Sequence, residues 1–201
     1  MAALAPAPAP APALPPPPTN YIQINAIRRQ IADLNSKSSE SHMYGIWDAI
    51  LNWQFPVTDE YITIPQALHK QFRGQKGFSD FHTLRYDAAG QKRYFLITQC
   101  KPPYGETQPG VWDEARDQLI YYFNLQHKTQ PVRSVYGIAA VGRRVRFYKY
   151  NFTTRSVVAW RPGENGLPPL PRTGDERRNF YLLRDEADKV QKALDWIRDH
   201  P

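Results

Sequence analysis

Two stretches of the chain, residues 93–101 and 134–141, read as β-strands, and a single helical stretch separates them at residues 110–126. In that stretch Trp112, Ala115, Leu119, Tyr122 and Phe123 recur at helical spacing. A helix in this position lets the strand after it return parallel to the strand before it. That arrangement rules out an all-β or an all-helical fold. It predicts an α/β fold, a mixed central sheet flanked by helices.

The rest of the chain fits around that crossover. Ile22, Ile24, Ile27, Ile31 and Leu34 are spaced as in a helix, and a Ser-rich break follows at residues 36–41. A second helix is expected over 39–53, capped by Ser38 or Ser39, with Met43, Ile46, Trp47, Ile50 and Leu51 inward. A short strand at 61–64 should stop at Pro65. Strands at 78–86 and 93–101 flank Asp87-Ala88-Ala89-Gly90, which has turn chemistry, so they form a hairpin. Pro102-Pro103 closes the second of them. Strands at 144–150 and 154–160, a Pro/Gly-rich loop over 161–176 and an amphipathic helix at 184–199 complete the order.

Composition limits the function classes. The chain has 201 residues, 41% of them hydrophobic, enough for the core of one domain, expected over 19–201. Residues 1–18 alternate Ala with Pro and carry no charge. They read as a disordered, polyproline-like arm, either passive or able to dock on a proline-recognition partner. Cys100 is the single cysteine, so no internal disulfide forms. No apolar run is long enough for a membrane span, and the start lacks the cationic and apolar regions of a secretory signal. The expected location is intracellular, nuclear or cytoplasmic. A net charge of +7 favours an anionic partner such as nucleic acid, or else describes an inert basic surface.

Hydrolysis of a phosphodiester without a covalent intermediate requires a divalent cation held by oxygen ligands, an aligned water and a counter to developing negative charge. Asp80 lies at the start of one hairpin strand; Gln99 and Lys101 end the other. Strand alternation puts Gln99 and Lys101 on one face and the Cys100 side chain on the other, with the Cys100 carbonyl still able to reach a metal. Taken singly, each residue also has an ordinary reading: a turn aspartate, a surface Gln-x-Lys. The five histidines show no metal-ligand spacing.

The pattern Asp80 followed by Gln99-x-Lys101 resembles the PD-(D/E)xK phosphodiesterase superfamily, the restriction-endonuclease-like group. The expected element order from residue 39 to 141 is similar to that group's αβββαβ core. Gln99 stands where the usual residue is acidic, which resembles the Gln-x-Lys variant of Mrr-like nucleases. Gln118 and Tyr122 resemble the Q-x-x-x-Y helix of RecB-like nucleases. The Trp-rich helix, Pro65-Gln66 and Tyr136-Gly137-Ile138 also resemble uncharacterised fungal proteins of this type.

The resemblance implies a metal-dependent nuclease, with DNA as the preferred substrate and Mg²⁺ or Mn²⁺ as cofactor. Asp80, Gln99 and Cys100 would bind the metal, Lys101 would act on the water, and Gln118 and Tyr122 would position the substrate strand. Glu40, or second Asp48, would supply the carboxylate that Gln99 lacks. Arg143, Arg144 and Arg146, with Lys70, Arg73 and Lys76, would form a phosphate-binding rim or a charged edge that discourages strand pairing. Tyr104 and Trp112 are candidates for base stacking, with core packing the plainer role for Trp112. The alternatives are a catalytically inactive module on the same fold that binds nucleic acid, and a protein-interaction domain using the proline arm. Oligomeric state is not legible.

Overall fold

The computed structural model describes residues 16–72, 75–127, 135–163, 167–172, 174 and 179–201. Residues 1–15 of the Ala/Pro arm and Arg73 lie outside these, as do the side chains of Lys70 and Lys76.

Helices α1 (Asn25–Asp33) and α2 (Glu40–Gln54) lead into strands β1 (Tyr61–Phe72), β2 (Gln75–Tyr86) and β3 (Lys92–Lys101). Helix α3 (Pro109–His127) crosses to β4 (Tyr136–Val141), followed by β5 (Arg144–Asn151), β6 (Ser156–Arg161), the two-residue strands β7 (Leu170–Pro171) and β8 (Tyr181–Leu182), and α4 (Ala187–Asp199). From α2 to β4 the order is αβββαβ, as expected. The strands form one sheet in the order β1-β2-β3-β4-β5-β6-β7, with β8 on β5. Every pairing is antiparallel except β3 with β4, the pair that α3 connects.

Several boundaries differ from the sequence reading. The first helical stretch is a 3₁₀ turn, Tyr21–Gln23, followed by the shorter α1. Pro65 does not stop β1, which continues to Phe72 with Pro65 opposite Phe81. The strand lies at the end of the sheet, where a residue without an N–H costs no ladder bond. Gln66 follows it with φ +47°, in the left-handed region. Asp80 is therefore well inside β2 rather than at its start. Part of the expected loop after residue 161 forms β7, and β8 precedes a last helix three residues shorter at its start than expected.

The two faces of the sheet bury different material. Helices α1, α2 and α4 cover one face, where Trp47, Phe55, Phe95, Phe147 and Leu194 join a continuous apolar core. Helix α3 covers the other, with Trp112, Ala115, Leu119 and Phe123 on Ile97, Ala139 and Val141. It sits close: a Cβ at Gly137 would lie 3.1 Å from Leu119 Cδ1 and 3.3 Å from the Phe123 ring. The register Leu96↔Tyr136 to Lys101↔Val141 holds the end of β3 beside β4, and Gly142 donates its N–H to the Lys101 carbonyl at 3.1 Å. Among the described residues no helix is long and apolar enough to cross a membrane.

Candidate functional site

The site lies where the β2–β3 ladder ends. Register pairing runs from Tyr86↔Lys92 to Phe81↔Thr98. Beyond that last pair, the Cys100 N–H donates to Asp80 Oδ2 at 2.6 Å. A side-chain carboxylate thus takes the backbone donor at the sheet's open end, which fixes Asp80 against β3. The Cys100 side chain is fully buried in the core on the α1/α2/α4 face, opposite Gln99 and Lys101, as strand alternation requires.

Helix α2 brings a second carboxylate. Glu40 is in its first turn, where the helix dipole favours negative charge, and Tyr44 is one turn on. The Tyr44 hydroxyl donates to Glu40 Oε1 and lies 3.2 Å from Asp80 Oδ1. One phenol therefore bridges the two acids. Burial raises the Asp80 carboxyl to about 6, and the Glu40 charge adds to the rise. The Cys100 N–H, the Lys101 charge and the Tyr44 hydroxyl act in the opposite direction. Burial, followed by its contacts with both acids, also holds the Tyr44 phenol well above its ordinary range. Asp48, the second candidate for the extra acid, is exposed on α2 and bonded to Asn52. Sequence spacing does not rank the two; the helix orientation does.

Helix α3 supplies the third wall. Lys101, with only 12% of its side chain exposed, forms a 2.6 Å ion pair with Glu114. Gln118 Nε2 reaches the same Glu114 oxygen at 3.2 Å. Tyr122 is buried, and its phenol is raised to about 12 by burial and then by the Asp80 charge, which places it within that carboxylate's field. Gln99 is 1% exposed, and its Nε2 has no hydrogen-bond partner; the buried Gln118 Oε1 also has none. Among the described residues no three His, Cys, Asp or Glu side chains form a metal-holding group. The two carboxylates that meet at Tyr44 lie beside the Cys100 end of β3.

Glu114 and Tyr44 were not singled out from sequence. Glu114 is four residues before Gln118, a spacing that places both on one helical face, and this was the available signal. Tyr44 stands in the same relation to Glu40.

The expected arginine rim does not form as a unit. Arg143 is exposed and pairs with Glu106 at 3.3 Å, and Arg144 lies 3.7 Å from the same carboxylate. Arg146 is 4% exposed, beneath α3, with its guanidinium 4.2 Å over the Trp112 ring. It is therefore a buried residue and not part of a solvent-facing rim. Trp112 is also buried and donates Nε1–H to the Glu106 carbonyl, so it packs and does not present a stacking face; Tyr104 is exposed.

No family model matches the chain, and no curated protein matches it. Two solved structures resemble it. One is the type IIG restriction endonuclease BpuSI, with TM-score 0.49 and 15% identity over 82% of this chain and 17% of that one. The other is a cryo-electron microscopy structure of a DrdV–DNA complex, with TM-score 0.42 and 13% identity over 85% of this chain and 13% of that one. The chain spans less than a fifth of either.

Proposed function

We propose that the chain is a metal-dependent nuclease module that hydrolyses phosphodiesters in DNA, with its centre at Asp80, Glu40, Gln99 and Lys101. The observation that carries this reading is the meeting of Asp80 and Glu40 at one phenol, beside the end of β3 that bears Gln99 and Lys101. A carboxyl raised to about 6 by burial and a second acid is a group that a cation would relieve. Hard oxygen donors suit Mg²⁺ or Mn²⁺.

Asp80 and Glu40 would hold such a cation, with Gln99 Oε1 or the Cys100 carbonyl as a third protein oxygen. When bound, the cation supplies charge neutralisation and an acidified water. Lys101 is placed to offset negative charge on the phosphoryl oxygens and to orient the attacking water. Glu114 holds the Lys101 ammonium and the Gln118 amide in one network, so both are positioned before substrate arrives. Gln118 and Tyr122 line the path of the nucleic-acid strand. Glu40 replaces from α2 the charge that Gln99 does not bring from β3.

Supercoiled plasmid incubated with the full chain and Mg²⁺ or Mn²⁺ tests this. Wild type should nick or linearise it, and Lys101→Ala should lower the rate by about 10²-fold or more. Equal cutting by both proteins would remove Lys101 from the mechanism. Salt-dependent binding with no cutting under either metal would leave a binding module on the same fold.

A further inference from the structure

Register lines across the sheet connect the end of β3 to β5. Gln99 lies opposite Ala139, which lies opposite Arg146; Lys101 lies opposite Val141, which lies opposite Arg144. Residues in register share a face. Arg144 and Arg146 are thus on the α3 face, about 10 Å from Gln99 and Lys101, two strand spacings away.

These arginines carry more positive charge than their surroundings answer. Arg146 is 4% exposed, and its Nε and Nη2 have no hydrogen-bond partner. Among the described residues no carboxylate pairs with it. Arg144 Nε is also buried without a hydrogen bond. Its nearest carboxylate is Glu106, which also accepts the Arg143 backbone N–H and pairs with the Arg143 side chain. Arg143 and Arg144 therefore share one acid, and Arg146 pairs with none among the described residues.

Aromatic rings cover the flat faces. Arg146 lies over Trp112, Arg144 lies 4.3 Å over Phe180, and Trp112 and Phe180 stack at 6.5 Å. A ring meets the face of a guanidinium, whereas its N–H groups point outward in the plane. The stack orients both groups; Arg144 Nη1 donates to the Glu106 carbonyl at 3.2 Å, while Arg144 Nε and Arg146 Nε and Nη2 are left without a hydrogen bond. A guanidinium stays charged at any ordinary pH, so the deficit cannot be relieved by losing a proton. Planar, paired N–H donors held in place match the oxygens of a phosphate group.

We propose that Arg146 and Arg144 form an anion-binding site on the α3 face that takes a phosphate group, separate from the Asp80 centre. This stands whether or not the chain cuts DNA.

Thermal unfolding of the full chain in inorganic phosphate, against chloride at equal ionic strength, tests it. Phosphate also stabilises proteins by exclusion from their surface, so the reading is the difference between wild type and variants. At a ten-fold excess over the dissociation constant, wild type should gain about 3–6 °C more than Arg146→Met. In chloride Arg146→Met should melt above wild type, because it removes an unanswered buried charge. Asp80→Asn should keep the wild-type phosphate response. Arg144→Gln, which keeps polarity and most of the bulk, should reduce the response if Arg146→Met does not fold.

The same phosphate gain in wild type, Arg146→Met and Arg144→Gln would overturn the proposal. So would a response lost in Asp80→Asn and kept in the arginine variants, since that places the anion at the other centre. A short oligonucleotide with and without a 5′-phosphate identifies the source. Tighter binding of the phosphorylated form by wild type, absent in Arg146→Met, assigns the site to a nucleic-acid end; equal binding assigns it to free phosphate.

Discussion

The two faces of the sheet solve different problems. Under α1, α2 and α4 the buried groups are mostly large and apolar; the unmet polar atoms there are neutral ones on Trp47, Trp160 and Thr98, with one charged exception, Arg172 Nη1, whose guanidinium lies over the Tyr181 ring. Under α3 the core is thinner, with Ala115, Ala139 and Gly137 beneath the helix. That face also holds Gln99 Nε2, Gln118 Oε1 and Arg146 Nε and Nη2, buried atoms without a hydrogen-bond partner. One face supplies stability, and the other keeps polar groups dry at a cost in stability. A buried polar atom without a partner lowers stability by about 1–3 kcal/mol.

The largest test of this contrast is Trp47→Ala, which should destabilise by about 3–5 kcal/mol in urea unfolding. A small loss would mean that the α2 face is not the main source of stability.

A smaller effect, of opposite sign, is expected at Asp80. Its folded carboxyl titrates near 6 against 3.8 for an unperturbed group, so the folded state binds the proton more tightly. Stability of the metal-free protein should then fall as pH rises from about 4 to 6, by an amount on the order of 3 kcal/mol at neutral pH. Asp80→Asn should remove that fall, leaving the variant more stable than wild type at pH 7. A wild-type stability curve flat between pH 4 and 7 would show that Asp80 carries no such burden.

Gln99→Met fills the same space without polar atoms and should raise stability by about 1 kcal/mol while weakening Mn²⁺ binding in calorimetry. A drop in stability would show that Gln99 has a structural partner, and the contrast between faces would lose one of its supports.

The smallest change should come from Glu114→Gln. Its carboxylate is 57% exposed, so stability should move by less than about 1 kcal/mol. The cleavage rate should still fall several-fold with little change in DNA affinity, because Lys101 and Gln118 lose their common anchor. Unchanged turnover would assign that ion pair to the surface.

The contrast also explains what the sequence could reveal. The hairpin was legible because Gly90, with φ +70°, closes a turn that Asp87 caps by accepting the Ala89 and Gln91 N–H groups. The crossover helix was legible from its apolar spacing, and the meeting of Asp80 with the end of β3 followed from the hairpin. Pro65 misled because its meaning depends on whether a strand is at the edge of a sheet, a non-local property. Arg146 misled for a related reason. A charged residue in a strand looks solvent-facing until the helix over that face is known, and only β3–β4–β5 register aligns it with Gln99. Glu114 escaped notice because an exposed helix glutamate is common, and its partner is thirteen residues back on a different element.

The outermost strand has a consequence beyond this chain's own packing. β1 ends the sheet with Pro65, which offers no donor, followed by Gln66 in a left-handed bend. A neighbouring molecule aligning there would find its ladder interrupted midway, so stacking of sheets into fibrils is discouraged at that border. Replacing the pair with two β-branched residues would straighten the border and expose a continuous template for self-association.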